Sequence, residues 1–231
     1  MSLNVLITGA NRGLGLEFTR QYAQAGWQVF ACCRQPDKAV ELQQLATQQP
    51  DKVSLHALDV ADFAQIEQLA KQLSADSIDL LLNNAGLYPK GEAFGSIDYE
   101  AWMEAFRVNT MAPLKMAEVF AGHVARSQQK KIVNITSKMG SIDDNTSGHH
   151  YLYRSSKTAL NMVTKSLAID LASRGITAIV MHPGWVQTDM GGLSAPTTVE
   201  QSVSGMRQVV ARLTANDSGK FYGYDGKEIP W

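Results

Sequence analysis

Along the chain, short runs of consecutive apolar residues alternate with longer stretches whose apolar positions recur every three or four residues. Runs of the first kind suit strands buried on both faces, and the second kind suits helices with one buried stripe. "NVLIT" (Asn4 to Thr8) is the first run and ends in glycine. "LGLEFTRQYAQAG" follows with Leu14, Phe18, Tyr22 and Ala25 on one helical stripe and Gly26 as its stop. "WQVFACC" reads as strand, "KAVELQQLATQ" as helix, "VSLHALDV" as strand and "DFAQIEQLAKQL" as helix capped by Asp62. "IDLLLNNAG" is a strand entering a turn. A helical region from about Asp98 to Arg126, interrupted near Pro113, leads to the strand "KKIVNITS". A long helix from Tyr151 to about Arg174, the strand "ITAIVMHPG" and a last short strand in "GKFYGYDGKEIPW" complete the order. Such alternation predicts parallel βαβ units, hence an α/β fold: one Rossmann-type doubly wound sheet of about seven strands flanked by helices. No linker, repeat or low-complexity tract divides residues 1–231, so a single dinucleotide-binding domain is expected.

Charge removes several function classes. The formal charge is −1 with no concentration of lysine or arginine, which argues against nucleic-acid binding and against a polybasic membrane patch. No basic leader and no apolar run near 20 residues is present, so no membrane span and a cytoplasmic location are expected. The neighbouring Cys32 and Cys33 read as reduced core residues.

"TGANRGLG" places glycines at 9, 13 and 15, between the first strand and the first helix. That spacing is G-x-x-x-G-x-G, not the G-x-G-x-x-G dinucleotide pattern. The physics is the same: glycines admit close backbone approach, and the helix start favours an anion. Gly9, Asn11, Arg12, Gly13, Leu14 and Gly15 are therefore the expected phosphate cradle. The second strand ends "ACCRQ", with Arg34 where a ribose-binding acid would otherwise stand. Arg34 and Arg12 together suit a 2′-phosphate, so the expected cofactor is NADP(H). Asp59 and Val60 in "LDV", and Asn84, Ala85 and Gly86 in "NNAG", close two further strand ends where adenine and nicotinamide ribose would lie.

"YLYRSSK" carries the candidate chemistry. On a helix Tyr153 and Lys157, four residues apart, point the same way. Tyr151 stands six residues from Lys157, about 240° around the axis, and diverges from it. A tyrosine with pKa near 10 exchanges protons poorly at neutral pH, and an ammonium beside it lowers that pKa by about 1 to 3 units. Tyr153 is thus the expected acid/base and Lys157 its tuning cation. Ser137 ends the fifth strand, where its hydroxyl can meet a substrate oxygen; Ser141 is the fallback. Pro113 has no N–H to offer the Asn109 carbonyl four residues back, which leaves that carbonyl able to hold water. His149 and His150 lack a third ligand at sensible spacing, so no metal is expected.

Taken in order, "TGANRGLG", "LDV", "NNAG", Asn109, Ser137 in "NITS", "YRSSK" and "PGWVQT" resemble the short-chain dehydrogenase/reductase family over most of the chain. The ending "FYGYDGKEIPW" looks most like the C-factor and sniffer-like carbonyl reductase subgroup. The resemblance implies hydride transfer between nicotinamide C4 and a carbonyl carbon. It makes Ser137 the orienting serine, gives Lys157 a second role on the nicotinamide ribose, and makes Asn109 a relay of protons from water to Lys157. One departure is that Ser137 lies 16 residues before Tyr153, a few more than is usual, the surplus being the loop "SIDDNTSGHH". "PGWVQTDMGG" resembles the start of a substrate lid spanning about 187–205. Pro183 and Gly184 set its turn, Val186 and Thr188 meet the nicotinamide amide, and Gly191 and Gly192 serve as hinges. Trp185, Met139 and Met190 suggest an apolar pocket wall. A small carbonyl or alcohol substrate is implied, and a homodimer or homotetramer built on residues 111–126 and 151–174. Two other readings stay open: a dinucleotide-binding regulatory protein with little turnover, and an epimerase or dehydratase, for which the chain is short.

Overall fold

All seven strands run parallel in one sheet in the computed structural model, which describes residues 2–89 and 94–231. They are β1 (Asn4–Thr8), β2 (Gln28–Cys33), β3 (Val53–Ala57), β4 (Leu80–Asn83), β5 (Lys131–Ile135), β6 (Thr177–His182) and β7 (Phe221–Gly223). Their order is β3-β2-β1-β4-β5-β6-β7, so the connection reverses between β1 and β4. At that crevice, outside the carboxyl ends of the strands, open α/β sheets bind ligands.

The helices are α1 (Gly13–Gln24), α2 (Val40–Gln48), α3 (Phe63–Gln72), α4 (Tyr99–Phe106), α5 (Ala112–Ala125), α6 (Tyr151–Asp170) and α7 (Val199–Arg212). One face of the sheet is covered by α1, α2 and α7 through Phe18, Leu42 and Met206; the other by α3, α5 and α6 through Ile66, Phe120 and Leu167. β1, β4, β5 and β6 are buried almost throughout, as central strands covered on both faces are, whereas the edge strand β3 is partly exposed. Among the described residues, no helix is long and apolar enough to cross a membrane.

Asp62 accepts from the Ala64 and Gln65 N–H groups and starts α3 as its position predicts. Gly26 follows α1 at φ +84°, the conformation that a helix stop requires. Four boundaries differ from expectation. Ala25 is exposed at the end of α1, outside the buried stripe. The interruption of the 98–126 region is a π turn over Arg107–Met111, upstream of Pro113. Pro113 itself sits in the first turn of α5, where its missing N–H costs nothing. The long helix ends at Asp170, and Ala172–Arg174 is a separate 3-10 turn. Last, α7 begins at Val199 and buries Val203 and Met206 in the core, so residues 199–205 of the segment expected as a lid are packed helix.

Candidate active site

The glycine turn after β1 is held open by contacts that no side chain at Gly15 could tolerate. A Cβ there would lie 2.1 Å from the Gly9 carbonyl oxygen and 2.7 Å from Asn84 Nδ2. Gly9 and Gly13 adopt φ of +67° and +52°, which L side chains rarely reach. Arg12 stands at the N-cap of α1 without capping the helix by its side chain, and the first turn holds no acid. The exposed N–H groups at this helix start therefore fit an anionic phosphate. Arg34 is exposed at the tip of β2 and makes no ion pair among the described residues. Arg12 differs from expectation: its guanidinium meets the Asp189 carboxylate at 2.5 Å, so one half of the expected clamp is already paired.

The turn after β4 is fastened to β1 by Thr8, a residue the sequence reading passed over. Its hydroxyl accepts from the Asn84 and Ala85 N–H groups, both at 3.0 Å, and Asn84 Nδ2 donates to the Thr8 and Gly9 carbonyls at 2.9 and 3.2 Å. Gly86 lies beyond them, and a Cβ there would come within 3.4 Å of Lys157 Nζ. Asp59 accepts from the Ala61 N–H at 2.9 Å and shapes the turn after β3 beside the buried Val60.

Tyr153 and Lys157 lie on α6 and face the same side, with Lys157 Nζ 5.8 Å from the Tyr153 ring centre. Both are buried, at 7% and 4% exposure. Lys157 donates to the Ile135 carbonyl at 2.9 Å, and burial pushes its ammonium down to about 8. Ser137, at the end of β5, accepts from the Met139 N–H at 3.2 Å, which leaves its own proton for another partner. Ser141, the fallback, is occupied: its hydroxyl donates to the Trp231 carbonyl and accepts from the Asp144 N–H. Asn109 is fully buried in the π turn and uses its side chain as a pin. Its Oδ1 accepts from the Leu87 N–H at 2.9 Å, while Nδ2 donates to the Leu87 carbonyl at 2.9 Å and to Ser156 Oγ at 3.0 Å. Tyr88, missed in the sequence, packs its ring 4.5 Å from that of Tyr153 and shares a 2.7 Å hydrogen bond with His150 Nδ1.

The segment expected as a lid follows β6 and the turn at Pro183 and Gly184, the latter at φ +88°. Val186 is buried and bridges Thr197, and Thr188 sits 3.5 Å from where a Cβ on Gly13 would be. A Cβ at Gly191 would meet the Val186 carbonyl oxygen at 2.0 Å, whereas Gly192, at φ +77°, has open space around it. Trp185 and Met190 are about half exposed, with the indole N–H bound to the Gly191 carbonyl.

A glycine turn thus stands at the sheet crevice, with a buried tyrosine-lysine pair on an adjoining helix. Residues 3–198 match the short chain dehydrogenase family, and the chain belongs to it. The C-signal protein of Myxococcus xanthus is 38% identical over 162 residues, covering 70% of this chain and 98% of that protein. Among solved structures, the NADPH-bound carbonyl reductase from chicken fatty liver superposes with a TM-score of 0.93 at 36% identity. The carbonyl reductase Sniffer of D. melanogaster does so with 0.93 at 32% identity, and in both cases each chain is covered completely.

Burial of Lys157 carries a stability consequence with a definite sign. Its folded pKa of about 8 lies below the ordinary value of 10.5, so between those limits the unfolded chain binds more protons and stability rises with pH. Below pH 8 the full penalty stands, about 3 kcal/mol at 1.36 kcal/mol per unit. Lys157→Met is expected to raise unfolding stability at pH 7 by about 1–2 kcal/mol, after about 1 kcal/mol for the orphaned Ile135 carbonyl. The gain should vanish toward pH 10.5, which urea titrations at both pH values will check. A loss of stability at pH 7 would contradict this account.

Proposed function

We propose that the protein is an NADPH-dependent reductase of small or medium apolar ketones and aldehydes, with Tyr153 delivering the proton. The observation that carries this reading is the buried Tyr153–Lys157 pair beside the turn at Gly86. NADPH, when bound, supplies the hydride. Gly9, Asn11, Gly13, Leu14 and Gly15 cradle its pyrophosphate. Arg34 takes the 2′-phosphate with Arg12, which exchanges Asp189 for it. Asp59 and Val60 face the adenine, Asn84, Ala85 and Gly86 the ribose, and Pro183, Gly184, Val186 and Thr188 the nicotinamide amide. Ser137 donates to the substrate oxygen and orients the carbonyl. Tyr153 passes its proton to that oxygen as charge develops. Lys157, still mostly protonated at neutral pH, stabilises the resulting phenolate and binds the nicotinamide ribose; with a pKa so near ambient it also suits a proton relay. The Asn109 carbonyl, which Pro113 cannot reach with an N–H, holds the water that reloads Lys157.

Reduction is expected with benzaldehyde, acetophenone, cyclohexanone or a medium-chain 2-alkanone, followed as loss of NADPH absorbance. NADPH should outperform NADH, and Arg34→Asp should reverse that order; equal use of both cofactors by both proteins would reject the phosphate clamp. A regulatory dinucleotide binder is the second reading, favoured by the name of the C-signal relative. Silence across the whole panel with NADPH still bound would move the assignment there. Exposed Met111 at the end of the π turn, with Met162 and Ile169 on the outer face of α6, suits a homodimer or homotetramer. Free, buried Cys32 and Cys33 suit the reducing cytoplasm.

A further inference from the structure

Between Ser137 and Tyr153 the chain makes its extra excursion, and that loop is fastened from two sides. Ser137 opens a single 3-10 turn, Lys138–Gly140, a structure too short to hold its own orientation. On one side the turn is wedged on α6. A Cβ at Gly140 would lie 2.9 Å from the Lys157 backbone, and the Gly140 carbonyl accepts from Thr158 Oγ1 at 2.9 Å and Asn161 Nδ2 at 3.1 Å. Arg154, next to Tyr153, adds bonds to the Met139 carbonyl, the Gly148 carbonyl and Ser147 Oγ.

On the other side stands the last segment of the sequence. The Trp231 carbonyl oxygen accepts from the Ile142 N–H at 3.1 Å, the Asp143 N–H at 3.0 Å and Ser141 Oγ at 3.3 Å. The Trp231 ring packs at a 35° tilt against Phe221 of β7, with centres 5.7 Å apart. Phe221 also accepts from the Ile229 N–H and pairs with Val180 of β6. Ile142 is 72% exposed, so burial of its side chain contributes little to the hold; the three hydrogen bonds to one oxygen provide it.

We infer that residues 221–231 form a positioning strap that fixes the Ser137 hydroxyl against Tyr153 through the Trp231 carbonyl. The inference rests on the catalytic part proposed for Ser137. Displacement of residues 141–143 has one rigid neighbour to push against, the turn on α6, and Ser137 is the next residue along. Trp231 touches no reacting atom in this account; it acts through the loop.

The test is a chain stopped after Ile229, which keeps the Tyr222–Glu228 bridge and the Ile229–Phe221 bond. Using the best-reduced carbonyl of the panel, kcat should fall roughly ten- to a hundredfold, since an ångström of misplacement costs that much. NADPH affinity, read by fluorescence titration, should not move. Trp231→Phe keeps carbonyl and ring and should restore wild-type rates. In a Ser137→Ala background the same truncation should cost nothing more, because both changes remove one interaction. Ser141→Ala in the full chain should show a smaller loss with the same non-additivity, and it carries the test if the shortened chain fails to fold. Fully additive losses, or an undiminished kcat without residues 230 and 231, would overturn the strap. Full activity of Ser137→Ala by itself would overturn the role of Ser137, and the strap's function with it.

Discussion

Tyr153→Phe is expected to lower kcat by roughly a hundred- to ten-thousandfold, the range that a positioned proton donor supplies. The substitution keeps the ring that packs against Tyr88, and the hydroxyl is all that leaves. NADPH binding should persist, because the glycine turn, Arg34 and the Lys157 ammonium are untouched. Loss of one buried hydrogen-bonding group costs about 1 kcal/mol, too little to unfold a domain of this size. Stopped-flow traces should therefore show cofactor binding without hydride transfer. An active Tyr153→Phe protein would mean that the substrate oxygen receives its proton elsewhere, and Lys157 would have no phenolate to stabilise.

Gly15→Ala is the second large effect, and it acts on architecture before chemistry. The added methyl would stand 2.1 Å from the Gly9 oxygen and 2.8 Å from the Gly9 carbonyl carbon. These are backbone atoms at the junction of β1 and α1, and Asn84 Nδ2 closes the same space from β4. No rotamer relieves the clash, so the turn itself must move. A loss above about 3 kcal/mol in unfolding free energy is expected, with NADPH affinity falling in proportion to the spoiled cradle. Gly13→Ala is the internal control: its methyl meets only Thr188 Cγ2 at 3.5 Å, and the strain is that of φ +52°, about 1–2 kcal/mol. Equal stability of the two alanine proteins in urea titrations would contradict the packing described here.

Elements with strong local period are legible from sequence alone. The seven apolar runs, the Tyr153–Lys157 spacing and the Asp62 cap follow from rules that operate within a turn or two of chain. The α7 boundary is a different case, since Thr198 and Gln201 form a capping box that marks the helix start, a signal the lid resemblance obscured. What stays hidden is pairing over distance. Thr8 binds the β4 turn 76 residues away, Arg12 finds Asp189 across 177, and Ser141 meets Trp231 across 90. Polar residues at such separations look like surface positions until the sheet brings their strand ends together. The π turn at Asn109 is likewise a product of packing, imposed where Asn109 and Thr110 bond to Leu87 and α6.

The union of Arg12 with Asp189 has one more implication. Both groups are hydrated, at 67% and 77% side-chain exposure, and such pairs contribute at most about 1 kcal/mol. The pair therefore ties residue 189 to the glycine turn only weakly, and added electrolyte weakens that tie further as the Debye length shrinks.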